Sequence, residues 1–189
     1  LARAADERSS MQATTLGGTV TGAWRRGCDV AWLPVRGGEG TASAIATSCE
    51  RLLLSPEAQG AGRFENLQVL RYDEGGEYQP HYDANERTQR VLTVLFYLNG
   101  VGRTWFPLAS AEATARNPPR LAALAAAPWL VPARDGLTVT PSAGDAVAFY
   151  NYQPAGRGGG VALDRLALHA GLPAPSERRV AALWFRGQP

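Results

Sequence analysis

The sequence predicts a mainly β (α+β) fold, with helices on its N-terminal side packed against a β-sandwich or barrel of about eight strands. Three observations carry this. The 189 residues include 21 Gly and 13 Pro, a supply of turn-formers that suits many short strands. One segment before residue 55 has helical periodicity. From residue 67 the chain becomes a series of short apolar stretches separated by turn signals. A chain of this length builds one sizeable core, so a single domain over 1–189 is expected.

The elements follow in order. The opening residues are rich in Gly, Thr and Ala, with strand-like pieces around Gly18–Trp24 and Val30–Val35, and Gly37–Gly40 reads as a loop. A helix follows with Thr41 as N-cap, because Ala42, Ile45, Cys49, Leu52 and Leu53 recur at helical spacing; it stops before Ser55-Pro56. Leu67–Tyr72 is a short strand closed by the turn signal Asp73-Glu74-Gly75-Gly76. Arg90–Leu98 is apolar on both faces, as in the middle of a packed sheet. Leu137–Thr140, Asp145–Asn151 and Val180–Phe185 are further strands, and the Ala- and Pro-rich stretch 109–132 reads as a short helix over Pro119–Ala126 or a lid.

Composition excludes several classes. No apolar run approaches the ~20 residues of a bilayer-spanning helix. A formal charge of +2 does not suit a strongly electropositive nucleic-acid binder. All 19 basic residues are arginine, so any cationic contact to a ligand is made by a guanidinium. Cys28 and Cys49 form no C-x-x-C pair and no disulfide framework. No leader-like segment opens the chain as given, which starts at Leu1 rather than Met, and a cytoplasmic location is the default expectation.

The chemistry-bearing residues are few. The only histidines are His81 and His169. In an extended strand, residues i and i+2 share a face, so His81 and Asp83 are able to converge on one ion. With His169 they make a two-histidine, one-carboxylate set of the kind that binds non-haem Fe(II) and leaves coordination positions open. A lone His-x-Asp is a weak signal, and a lone buried histidine is more often a hydrogen-bonded core residue. The flanking segments decide the matter.

The stretch Leu67–Asp83, LQVLRYDEGGEYQPHYD, resembles the prolyl 4-hydroxylase-like Fe(II)/2-oxoglutarate-dependent dioxygenases. In that family a strand ending in Tyr leads to a Gly turn, a second Tyr and His-x-Asp, here Tyr72, Gly75, Tyr78, His81 and Asp83. Arg90–Asn99 resembles the core strand ending Tyr-Leu-Asn, Gly144–Phe149 the Gly-Asp-Ala strand, and Leu168–Pro173 the segment with the distal histidine. The resemblance spans about 64–186 in order, leaving 1–63 as a supporting region. It implies a double-stranded β-helix (jelly-roll, cupin-like) core with supporting N-terminal helices. It also implies Fe(II) on His81, Asp83 and His169, with 2-oxoglutarate and O2 as co-substrates and ascorbate as an optional addition.

The same resemblance implies a basic residue that meets the far carboxylate of 2-oxoglutarate, a role suited to a guanidinium fork. Arg178 and Arg179 are both candidates, and strand alternation allows only one to face inward. Counting six back from Trp184, or nine on from His169 as in the hypoxia-sensing enzymes, selects Arg178. The collagen-type spacing of ten selects Arg179. Arg178 is the choice here. Tyr97, sixteen after His81, and Tyr72 are implied near the co-substrate; Tyr78, Arg90, Trp105 and Trp184 are candidates to line the substrate side. For any of these aromatics the ordinary alternative is core packing.

Many relatives have Gly-Gly-Glu-Thr before a Phe-Pro pair, whereas this chain reads Gly102-Arg103-Thr104-Trp105-Phe106-Pro107. The departure brings an Arg and a Trp to the expected pocket mouth and puts a collagen-like preference in doubt. The implied activity is hydroxylation of an unactivated C–H of an amino acid, a peptidyl proline or a natural-product intermediate, giving succinate and CO2. Retention of Asp83 argues against halogenation. The partners expected are a small-molecule or peptide substrate, with no nucleic acid and no membrane; oligomeric state is open. The alternative is a cupin-like metal-binding or regulatory module without oxygenase activity.

Overall fold

The computed structural model describes residues 12–13, 25–35, 40–59, 63–84, 89–109, 136–155 and 159–187. The strand-like piece Gly18–Trp24, the loop residues 37–39 and the helix or lid over 110–132 lie outside the described residues.

Among the described residues eleven strands form in two antiparallel sheets: β1 (Gln12–Ala13), β2 (Arg25–Leu33), β3 (Leu67–His81), β4 (Arg90–Tyr97), β5 (Thr104–Phe106), β6 (Leu137–Val139), β7 (Ala146–Tyr150), β8 (Tyr152–Pro154), β9 (Val161–Leu163), β10 (His169–Gly171) and β11 (Arg178–Arg186). The larger sheet runs β6-β5-β10-β3-β11-β4-β7, with β2 on the other side of β3 and β1 beyond it; β8 and β9 form a hairpin. Strand β3 is the spine. Its first half pairs with β11 and its end pairs with β10, so it carries the chain from one half of the curled sheet to the other. The result is a double-stranded β-helix, as the resemblance implies; of the supporting N-terminal helices it also implies, the described residues contain one α-helix.

Strand alternation sorts the core into two sides. Leu67 and Val69, Leu92 and Val94, Ala181, Leu183 and Phe185 point to one face, where α1 (Thr41–Leu53) lays Ala42, Ala46 and Cys49 against them. Their neighbours Gln68, Leu70, Thr93, Leu95, Val180, Ala182 and Trp184 point to the other face and line a cavity. The run Arg90–Leu98 is apolar on both faces because both are covered.

Three expectations are corrected. The glycines after Tyr72 do not end the strand: Gly75 N–H donates to Ala174 O at 2.8 Å and Gly76 O accepts from Ala174 N–H at 3.2 Å. The segment bonds a neighbouring connection instead of folding back, and β3 runs on to His81. The helix cap is Gly40, with φ of 95° and no side-chain cap bond, while Thr41 is already helical. Leu52 is 81% exposed rather than core-facing, because the buried stripe runs through Ala42, Ala46, Cys49 and Glu50.

Candidate metal centre

His81, Asp83 and His169 meet, their ligand atoms all within 4.8 Å of one another. Backbone register explains why. His81 pairs with His169 across β3 and β10, while Gly171 pairs with Tyr78, so the register slips by one residue between the two pairs. Such a bulge reverses the facing of the residues beyond it, and it turns His81 to the same side as Tyr78. A short 3-10 turn, Arg165–Ala167, capped by Asp164 Oδ1 accepting from Leu166 N–H at 2.9 Å, delivers the chain to His169.

The ring tautomers are fixed by carbonyl oxygens, which only accept. His81 Nδ1 donates to Gln79 O at 2.7 Å and His169 Nδ1 donates to Ala167 O at 2.9 Å. Both rings thus turn Nε2 towards Asp83, at 3.7 Å from Oδ1 for His81 and 3.7 Å from Oδ2 for His169. Burial, and then the neighbouring His81, push the His169 imidazole down to about 4, so it is neutral at ordinary pH. Burial resists ionisation of Asp83, yet the adjacent imidazoles hold its carboxyl far below the usual range. Two imidazoles and one carboxylate form a donor set suited to a divalent transition metal with open positions.

Behind the carboxylate, Thr93 Oγ1 donates to Asp83 Oδ2 at 2.8 Å and accepts from Asn151 Nδ2 at 2.9 Å, all three residues being buried. Neither Thr93 nor Asn151 was singled out in the sequence. The one available signal was Thr93 itself, the polar residue inside a strand otherwise apolar on both faces.

The cavity in front of the cluster encloses about 420 Å3, counting its solvent-open mouth. Tyr72, Tyr78, Arg178 and Trp184 line it together with the three ligand candidates. Arg178 is 3% exposed, its guanidinium carbon 4.4 Å from the centre of the Tyr72 ring. Its Nη1 reaches only the Arg103 and Leu172 carbonyls, at 3.4 and 3.5 Å, and its Nε has no partner. Trp184 Nε1 lies beside Asp83 and the Tyr72 hydroxyl beside the Cys28 thiol, neither in full hydrogen-bond geometry. Burial pushes the Tyr72 phenol up, so it stays a donor. Buried donors without acceptors on one cavity wall fit an anionic, oxygen-rich ligand.

Arg179 turns away and pairs with Glu177 at 2.7 Å. Asn99 sets this phase: its Oδ1 accepts from Arg179 N–H at 3.0 Å and its Nδ2 donates to Glu177 O at 2.9 Å.

The remaining three candidates are not lining residues. Tyr97 is buried beside the cavity and its hydroxyl donates to Thr104 Oγ1 at 2.8 Å, leaving Thr104 on the wall. Arg90 grips Glu65 with two hydrogen bonds, of 2.7 and 2.8 Å, and braces Trp184 from 3.8 Å above its ring. Trp105 packs with Ala170 and Leu172 in a small separate cluster, and the Arg103 side chain is exposed. The expectation that these two reach the pocket mouth is corrected: Thr104 faces in, so the next strand residue faces out. Arg25, Gln68 and Thr104 are lining residues that the sequence reading missed.

The family model of the 2OG-Fe(II) oxygenase superfamily matches residues 67–186. Prolyl 4-hydroxylase 5 of Arabidopsis thaliana is 33% identical over 136 residues, covering 64% of this chain and 41% of its own. The transmembrane prolyl 4-hydroxylase of Homo sapiens is 32% identical over 186 residues, 80% of this chain and 36% of its own. The chain therefore spans less than half the length of these relatives. Among solved structures, the 2OG complex of a viral collagen prolyl hydroxylase from Paramecium bursaria Chlorella virus-1 superposes with a TM-score of 0.59. It is 26% identical, over 86% of this chain and 80% of that one. A Pseudomonas putida prolyl-4-hydroxylase shares the fold, with a TM-score of 0.55 and 21% identity over 98% of this chain and 82% of its own. The matched span contains all three candidate ligands and Arg178, and by it the chain belongs to the 2OG-Fe(II) oxygenase superfamily.

Proposed function

We propose that the chain is an Fe(II)- and 2-oxoglutarate-dependent dioxygenase that hydroxylates an unactivated C–H of a small-molecule or peptide substrate. The observation that carries this reading is the meeting, in one cavity, of His81, Asp83 and His169 with the buried guanidinium of Arg178. A cupin-like module that only binds a metal has no use for a buried arginine with an unpartnered Nε on the wall of the same cavity.

His81 and His169 hold the metal through Nε2, their Nδ1 protons being tied to Gln79 O and Ala167 O. Asp83 supplies the carboxylate, oriented by Thr93. Arg178 receives the far carboxylate of 2-oxoglutarate, with the Tyr72 hydroxyl as a neutral donor beside it. Once bound, iron and 2-oxoglutarate supply O2 activation with loss of CO2, leaving succinate and a hydroxylated product. Leu70, Leu95, Val180 and Ala182 keep water out of the cavity.

The near-balanced charge of +2 supports a substrate other than nucleic acid. No described helix is long and apolar enough to cross a membrane. A cytoplasmic location stays within the proposal.

The test is anaerobic titration with Fe(II) and 2-oxoglutarate, followed by a succinate-release assay in air. A visible charge-transfer band requiring both additions, and its loss in Asp83→Ala, is the expected result. Full succinate production by Asp83→Ala sinks the reading.

A further inference from the structure

Arg178 is not the sole arginine on the cavity wall. Arg25, from β2, reaches the same cavity, and it lies outside the span that matches the family model. It is paired with Tyr78 in the β2–β3 register, and its guanidinium carbon sits 4.2 Å from the centre of the Tyr78 ring. The His81 ring stacks on Tyr78 with centroids 3.6 Å apart. Two groups this close to one ring centre occupy opposite faces, so Arg25, Tyr78 and His81 form a stack, with the guanidinium one ring away from a metal-ligand candidate. Nη2 donates to Gln68 Oε1 at 3.2 Å, and Nε is buried without a partner.

The charge around Arg25 is what makes it informative. Among the described residues Arg25 forms no ion pair, and the groups that face it are Tyr78, Tyr72, Cys28 and Gln68. A guanidinium held among neutral groups is costly unless something anionic joins it. Among the described residues, the lining charges are Arg25, Arg178 and Asp83. With Fe(II) and dianionic 2-oxoglutarate in place, the metal is offset by the co-substrate and Arg178 by Asp83. One positive charge is then left over, that of Arg25.

Resting on the oxygenase reading above, we infer that Arg25 is a specificity-determining residue that binds a carboxylate of the substrate. The cavity thus selects a small carboxylic acid, such as a free amino acid, over an internal residue of a peptide. An internal residue offers neutral carbonyls, which leave the guanidinium charge unanswered. A free carboxylate takes two parallel N–H bonds from the fork, including the one from the orphaned Nε. The Tyr78 stack sets the distance: a carboxylate anchored one ring from His81 leaves room for only a few carbon atoms before the metal.

The experiment uses Fe(II)- and 2-oxoglutarate-loaded protein. A panel of free L-amino acids, their carboxamides, and peptides blocked at both ends is titrated anaerobically, reading the perturbation of the visible band. Each compound is then assayed in air for succinate and a hydroxylated product. At least one free acid should bind about 10- to 100-fold more tightly than its carboxamide, the range expected for hydrogen bonds to a charged group. Arg25→Gln should erase that preference without changing the half-saturation for 2-oxoglutarate, and Arg25→Lys should keep part of it.

Acids and amides binding alike, blocked peptides binding best, or no acid binding at all overturns the inference. So does an Arg25→Gln protein that weakens 2-oxoglutarate instead, which places Arg25 on the co-substrate. Should Arg25→Gln fail to fold, the acid-to-amide ratio of the unmodified protein decides the question. Absence of the visible band before any panel compound is added is a separate failure, that of the oxygenase reading.

Discussion

Gly171 lies directly against the guanidinium of Arg178: a Cβ on Gly171 would come within 2.8 Å of Nη1 and closer still to Nη2. The glycine two residues after His169 therefore makes space for the cation that shares the cavity with His81, Asp83 and His169. Gly102 does the same from the other side, where an added Cβ would fall 3.2 Å from Arg178 Cγ and closer to Cδ.

Gly171→Ala is expected to separate binding from stability. The backbone there needs no left-handed conformation, and the obstructing atoms are the mobile end of a long side chain. The protein should fold with Tm nearly unchanged. The displaced guanidinium should raise the half-saturation for 2-oxoglutarate by about 10- to 100-fold, as an ångström-scale misplacement does. Arg179→Gln is the control: its exposed pair with Glu177 is worth at most about 1 kcal/mol and lies off the cavity, so 2-oxoglutarate saturation should not move. Equal effects from the two variants would mean that Arg178 is not the anchor.

Thr93→Val keeps the shape of the side chain and removes its hydroxyl. Asp83 Oδ2 then loses its Thr93 donor and Asn151 Nδ2 its acceptor, both in buried surroundings. The expected destabilisation is about 1–3 kcal/mol by denaturant titration. Fe(II) affinity, measured anaerobically by calorimetry, should fall about 10- to 100-fold, as for other groups that orient a metal ligand. Thr93→Ser restores the hydroxyl and should recover most of the metal affinity. Were Thr93→Ser as poor as Thr93→Val, packing rather than the hydrogen bond would be the cause.

What the sequence made legible, and what it hid, divides along local and non-local lines. His81 and Asp83 are two apart, and their convergence was read from strand alternation, although β3 ends at His81 and Asp83 lies in the bend just beyond it. The choice of Arg178 over Arg179 rested on counting to Trp184, and the phase proves to be set by Asn99, a side chain eighty residues away. The segment Asp73–Gly76 has the composition of a turn, and bonds to the distant Ala174, with β2 paired at Tyr72 and Glu77 on its other side, keep it extended. Arg25 was invisible for the same reason. Its place opposite Tyr78 is a register fact of β2 and β3, and no spacing within either strand encodes it. Trp105 shows the converse error, an aromatic assigned to the cavity by proximity in sequence when its strand phase sends it outward.

Glu65 gives a pH dependence whose sign is fixed by its partners. Burial works to raise its pKa, but the paired hydrogen bonds from Arg90, with Arg186 at 3.4 Å, bring it below the ordinary 4.5. A carboxyl whose pKa is lower in the folded chain stabilises that chain above the unfolded value, and the stabilisation drains away as pH falls through the folded value. The loss should therefore appear below about pH 4.5 and not between pH 6 and 8. Because Arg90 stacks on Trp184, protonation of Glu65 also slackens one wall of the cavity. Denaturation midpoints of the unmodified protein and Glu65→Gln, compared from pH 7 down to pH 3, should converge as the pH drops, the variant lacking the Glu65 contribution from the start. A constant gap across that range would show that the Arg90 pair is not what lowers Glu65.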